Sequence, residues 1–191
     1  MQTPEKNKNI AFAIRNSSDS VFRFVDMSML TGETNYNALN QKLNYAARNK
    51  KILNPRRGIY AKLTFSYEEV ANKIFTPSYI SLEYVLKQNG IIQQTDDTIT
   101  STCYLSRKIH VDEQAMSYHK FKSEILVHPL GVIRKKSVNI ATVERAFLDL
   151  LYLEKHYDFA NLDIINKQSI KKLLPIYNSK KLSELVKKLL Q

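Results

Sequence analysis

Four glycines in 191 residues, Gly32, Gly58, Gly90 and Gly131, leave this chain little choice about where its tightest turns fall. Glycine reaches positive φ without a Cβ clash, so each of the four marks a turn between elements. The same scarcity removes glycine-rich phosphate loops. Neither G-x-G-x-x-G nor G-x-x-x-x-G-K-[ST] can be assembled from these positions, which excludes dinucleotide and P-loop nucleotide binding.

A 43% hydrophobic content supplies a core for one domain or two small ones. Against 18 Asp and Glu stand 29 Lys and Arg, a net charge of +11 that favours a polyanionic partner. No run approaches the roughly 18 apolar residues of a membrane-spanning helix. The opening MQTPEKNKNIAFAI has too short and interrupted an apolar stretch for a secretory signal. Cys103 stands alone, so an internal disulfide and a cysteine-built zinc site are excluded, and a reducing, cytoplasmic location is expected.

Charge is denser at the start: residues 1–60 hold ten Lys or Arg against four Asp or Glu, residues 61–191 hold 19 against 14. Three helical segments are expected in that first part. One runs from about Lys8 to Ser18 through Ile10, Ala13 and Ile14. A second begins near Phe22 and carries Val25, Met29 and Leu30 up to Thr31-Gly32-Glu33. The third runs from about Thr34 to Asn49, with Tyr36, Leu39, Leu43, Ala46 and Ala47 on its apolar face.

The opposite face of that third helix points to function. Thr34, Asn37, Gln41, Tyr45 and Arg48 point away from the leucines, with Lys42 and Asn44 on the flanks, and no acidic residue occurs from Thr34 to Lys51. Amide side chains can bond adenine bidentately, and cations suit guanine or phosphate. Next comes Lys51-Ile52-Leu53-Asn54-Pro55-Arg56-Arg57-Gly58-Ile59-Tyr60, two short strands about a turn of Asn, Pro and Gly that carries Arg56 and Arg57. In this order the pieces make a winged helix-turn-helix, with the third helix in the major groove and the hairpin tip against phosphate or the minor groove.

Beyond Tyr60 several start signals occur. Ser66-Tyr67-Glu68-Glu69 reads as a capping box opening a helix through Val70 and Ile74. Thr76-Pro77 reads as the start of a helix reaching Gly90, with Tyr79, Leu82, Val85 and Leu86 inward. Strands are expected at Ile91-Ile92, Ile99 to Leu105, Lys108 to Val111, Met116 to Phe121 and Ile125 to Val127, with turns at Asp96-Asp97 and Asp112-Glu113. After Asn139 the helical period returns: Thr142 caps a central helix, Glu144 and Asp149 read as helix-start and surface charges, and two helices follow, about 163–177 and 179–190. The expected class is α+β, with a winged helix-turn-helix over residues 1–62 and a mixed α/β domain over 63–191.

Two blocks extend this reading by likeness. Arg57-Gly58-Ile59-Tyr60-Ala61-Lys62 with the run from Ala71 to Glu83, and the run from Asn139 to Tyr152, resemble the AbiEi family of antitoxins. The resemblance implies a bacterial toxin–antitoxin component of type IV. Such a protein would bind inverted repeats in its own promoter, repress its operon and use a C-terminal antitoxin domain to counter a nucleotidyltransferase-like toxin without a stable complex.

Catalysis has little support in the sequence. His110, His119, His128 and His156 lack metal-ligand spacing, and Asp112, Glu113 and Glu124 do not form the carboxylate set that a metal-dependent nuclease needs, so neither enzyme nor cofactor is expected. Arg107, Lys108, Arg134, Lys135 and Lys136 are either solvated charge or a second basic patch for nucleic acid. A third alternative has the Leu182/Leu185/Leu189 stripe docking on a partner.

Overall fold

The computed structural model describes residues 10–93, 96–154 and 157–190. Lys8, expected in the first helix, and His156 lie outside the described residues. The chain is α+β and divides into two units, one ending at Ile74 and one beginning at Phe75. The boundary falls beyond residue 62 because a helix, α4 (Tyr67–Ile74), is tied to the first unit.

In unit 1, α1 (Ile10–Asn16) buries Ile10, Ala13 and Ile14. A strand, β1 (Val21–Arg23), follows where a helix start was expected. Its conformation is fixed from outside: the Glu69 carboxylate accepts from the Ser20 and Val21 backbone N–H groups, at 3.0 Å each, and from the Ser20 hydroxyl. Glu69 is thereby diverted from a capping box, of which only the Ser66 half forms, Ser66 Oγ accepting from Glu69 N at 3.3 Å.

With β1 in place, α2 (Phe24–Thr31) starts later and turns a different face inward. Met27 and Thr31 are buried, whereas Val25, Met29 and Leu30 are exposed. Gly32 ends α2 in the left-handed region at φ 70°. Helix α3 (Tyr36–Arg48) is capped by Asn35, whose side-chain oxygen accepts from Ala38 N at 3.0 Å, and buries Leu39, Leu43 and Ala46. Tyr36, also expected inside, is exposed and meets the Phe24 ring at 4.7 Å.

A hairpin follows, β2 (Leu53–Arg56) and β3 (Ile59–Ala61), with β3 in the centre of a three-stranded antiparallel sheet ordered β1-β3-β2. Arg56 pairs with Ile59, so Arg57-Gly58 is the turn and Gly58 takes φ 79°. Asn54 and Pro55 stand in β2 rather than in the turn. The Asn54 amide donates to the carbonyls of Arg56, 2.9 Å, and Ile59, 2.6 Å, across a break in register. Ile10, Ile14, Phe22, Met27, Leu39, Leu43, Ile52 and Tyr60 form the core.

Unit 2 is built on a six-stranded mixed sheet: β4 (Ser78–Ile80), β5 (Ile99–Cys103), β6 (Arg107–Val111), β7 (Gln114–Lys120), β8 (Val132–Lys135) and β9 (Val138–Ala141), ordered β6-β7-β5-β4-β9-β8. The β4–β9 and β5–β7 pairs are parallel and the others antiparallel. Helices α5 (Glu83–Gln88), α6 (Ser123–Leu126), α7 (Val143–Leu153), α8 (Lys167–Leu173) and α9 (Lys180–Leu189) complete it, with a 3₁₀ turn at Leu174–Tyr177.

Several expectations change here. Thr76-Pro77 precedes β4 rather than opening a helix, and α5 starts only at Glu83. Ile91-Ile92 is a buried bend, and Ile125 lies in α6 rather than in a strand. The β8–β9 hairpin occupies a stretch where no strand was expected.

Helix α7 is capped by Thr142 as expected, its hydroxyl accepting from Arg145 N at 3.3 Å. Asp149, expected at the surface, is fully buried on that helix, as is Arg145 one turn earlier. Its carboxylate accepts from Tyr79 Oη at 3.0 Å, Ser81 Oγ at 2.7 Å and Tyr177 Oη at 2.6 Å, with Arg145 Nε 3.4 Å away. The Arg145 guanidinium also donates to the carbonyls of Leu130 and Ile125. Burial, the larger influence, raises the Asp149 carboxyl above its ordinary value, against Arg145 and the three hydroxyls. The side chain thus stitches β4, α7 and the turn before α9 together.

Candidate nucleic-acid interface

The buried leucines of α3 determine what the helix presents outward. At about 100° per residue, Asn37, Gln41, Asn44 and Arg48 fall on one line opposite Leu39, Leu43 and Ala46, a row about 16 Å long. All four are exposed, as are Thr34 just before the helix and Tyr45 beside the row. Asn44 therefore stands in the row rather than on its flank. The row consists of three amides and a guanidinium on a helix fixed by its own core.

Charge around the row is selective. Lys42 is half-buried and bonded to Glu33 at 2.6 Å, so the carboxylate just before the expected acid-free stretch already holds it. Arg23 pairs with Asp26, and Lys73 with Asp19 and Asp26. The Arg23 hydrogen bonds and the Lys73 charge hold the Asp26 carboxyl below its ordinary value, although burial, the largest single influence, acts the other way. Among the described residues, Arg48, Lys50, Lys51, Arg56 and Arg57 make no ion pair. At the hairpin tip Arg57 is exposed and Arg56 half-buried.

One participant escaped the sequence reading. Lys51 Nζ sits 5.7 Å above the Tyr45 ring, and both line a groove of about 430 Å³ with Ile10, Gln41 and Lys42. The signal was the lysine six residues beyond Tyr45, brought back to the ring because the chain turns sharply after α3. Lys50 takes φ 52° there, and Lys51 N donates to the Ala46 carbonyl.

The second expected patch does not come together. Arg107 and Lys108 lie on β6 and Arg134 and Lys135 on β8, with Lys136 just beyond, and these strands are opposite edges of the sheet. Five strand spacings of about 4.8 Å separate them by roughly 24 Å. His110 is exposed on β6, while His119 on β7 is half-buried, its Nε2 3.1 Å from Ser117 Oγ. Burial pushes the His119 imidazole below its ordinary value, against the attraction of Glu83 and Glu154. Among the described residues no group of three His, Cys, Asp or Glu is placed to hold a metal ion. Cys103 is buried in β5, which pushes its thiol up.

Asp112 and Glu113 occupy the β6–β7 turn and Glu124 the first turn of α6, so they share no element. On α9, Leu182 and Val186 are buried and Leu185 and Leu189 half-buried, which takes most of the apolar stripe into the unit's own core. No helix among the described residues is long and apolar enough to cross a membrane. Compared with protein-family models and with curated proteins, the chain matches none.

Proposed function

We propose that unit 1 is a winged helix-turn-helix that reads operator DNA with α3 and braces the hairpin tip on the backbone. The observation that carries this is the exposed row Asn37, Gln41, Asn44 and Arg48 on a helix whose opposite side is pinned by Leu39, Leu43 and Ala46. Amides and a guanidinium in one line match the hydrogen-bonding edges of bases in the major groove. The three-stranded sheet puts Arg56 and Arg57 at the tip of the hairpin, the wing of such a module. Tyr45 and Thr34 flank the reading row. Lys42, held by Glu33, is a lesser contributor.

With the resemblance to AbiEi antitoxins, the reading extends to a cytoplasmic regulator that represses its own operon and counters a nucleotidyltransferase-like toxin through unit 2. It is a binding protein rather than an enzyme and needs no cofactor. The test is done in cells: a reporter driven by the chain's own upstream region, and co-expression with the adjacent gene. The intact chain represses the reporter and relieves toxicity. Asn37→Ala/Gln41→Ala loses repression while relief of toxicity persists. Repression that survives this double substitution refutes the role of α3, and an adjacent gene that is harmless, or harmful regardless of this chain, refutes the antitoxin role.

A further inference from the structure

The net charge of unit 2 lies in its last two helices. Residues 75–162 carry ten Lys and Arg against ten Asp and Glu, whereas residues 163–191 carry seven lysines against Asp163 and Glu184. Lys171 and Lys172 on α8 and Lys180, Lys181, Lys187 and Lys188 on α9 are all exposed. The other sides of these helices bury Ile170, Leu173, Leu182 and Val186, so folding turns the lysines of each helix away from the core.

A solvated helix face ordinarily mixes the two signs and pairs them three or four residues apart. This one does not. Glu184 stands three or four residues from all four α9 lysines, yet among the described residues none of the six lysines makes an ion pair. Lys180 and Lys187, like Lys181 and Lys188, are seven residues apart and so share a face about 10 Å along the helix. Where α8 turns into α9, Lys171 and Lys180 line a groove of about 410 Å³ with Asn178, Ser179 and Ser183. Ammonium, hydroxyl and amide donors are thus gathered on one surface.

We propose that the α8–α9 lysine surface binds the phosphate backbone of duplex DNA without regard to sequence. Lysine serves phosphate as a point charge, and six lysines against the single groove amide of Asn178 favour contact with the backbone over reading of bases. Its one aromatic residue, Tyr177, is buried, which disfavours unpaired strands, whose bases need a ring to stack on. The choice of DNA over other polyanions rests on the reading of unit 1.

The test uses the full chain, a duplex of its own upstream region and a scrambled duplex of equal length, across a salt series. Lys171→Gln/Lys172→Gln/Lys180→Gln/Lys181→Gln weakens binding to both duplexes alike and leaves their ratio unchanged. If all four lysines contact phosphate, the wild-type to variant affinity ratio falls on the order of 100-fold between 50 and 200 mM salt. Arginine at the same four positions restores the salt dependence, separating charge from any effect on folding. A slope on scrambled DNA that the glutamine variant leaves unchanged overturns the proposal. Tighter binding to duplex RNA than to DNA, dependent on the same lysines, overturns the assignment to DNA. If the wild type shows no preference for its upstream duplex, the reading of α3 fails separately, and the slopes on scrambled DNA still decide this one.

Discussion

Removing the carboxylate of Asp149 tests how unit 2 is held together. In Asp149→Ala three hydroxyls, of Tyr79, Ser81 and Tyr177, lose their acceptor, and the Arg145 guanidinium stays wholly buried without its counter-charge. Breaking a buried pair on one side costs about 3–5 kcal/mol, most of it the uncompensated charge. For a unit of this size each kcal/mol lowers the midpoint by about 4 °C, so thermal unfolding followed by circular dichroism is expected to shift down by about 12–20 °C. Arg145→Met costs a similar amount, since it strands the carboxylate instead. The double variant Arg145→Met/Asp149→Ala is expected to lose less than the two single losses combined, because neither charge is left behind. A loss below about 1 kcal/mol for Asp149→Ala, or single losses that simply add in the double variant, refutes the coupled network.

Three further outcomes follow from other parts of the structure. Gly131→Ala places a Cβ at φ 78°, 2.8 Å from Leu173 Cδ2 and 2.9 Å from Arg145 Cβ, so unit 2 is expected to lose more than the ~1 kcal/mol of a positive-φ alanine alone; an unchanged melting temperature contradicts that packing. His119 has a folded pKa depressed below the 6.5 of the free side chain, so its contribution is complete above pH 6.5 and is lost as pH falls through the folded value. Stability of His119→Gln should therefore decline less than wild type between pH 6.5 and pH 5 in denaturant titrations, and parallel declines contradict it. Glu33→Gln frees Lys42 from its 2.6 Å ion pair and is expected to tighten binding to all duplexes alike while steepening the salt slope by at most about 0.9, whereas weaker binding would mean that Glu33 orients a needed contact.

What could be read in the sequence was what local chemistry decides. Helix α3, its apolar stripe of Leu39, Leu43 and Ala46, the glycine at the hairpin turn and the Thr142 cap all depend on residues within a turn or two of one another. The strands β1, β4, β8 and β9 have three or four residues each, too few for an alternating pattern to register. Their partners lie far off in sequence, as when Glu69 fixes Ser20 and Val21 across nearly fifty positions. Asp149 was misread for the same reason. Helical periodicity treats a charge as surface, and the tyrosines that satisfy it come from residues 79 and 177. The outward row of α3 was accessible because exposure there is the complement of a local apolar stripe. The lysine surplus on α8 and α9 is a tertiary property, since it depends on which sides of those helices the core buries.

The most direct measurement is the affinity of the intact chain for its own upstream duplex relative to a scrambled one at fixed salt, repeated for Gln41→Ala and for Arg57→Ala. Loss of a base contact at Gln41 is expected to cost about 1–3 kcal/mol on the upstream duplex and little on the scrambled one, shrinking the ratio. Loss of a phosphate contact at Arg57 should weaken both and keep the ratio. Equal affinity of the wild type for the two duplexes, or a ratio indifferent to Gln41, would contradict the reading of α3 as the helix that recognises DNA.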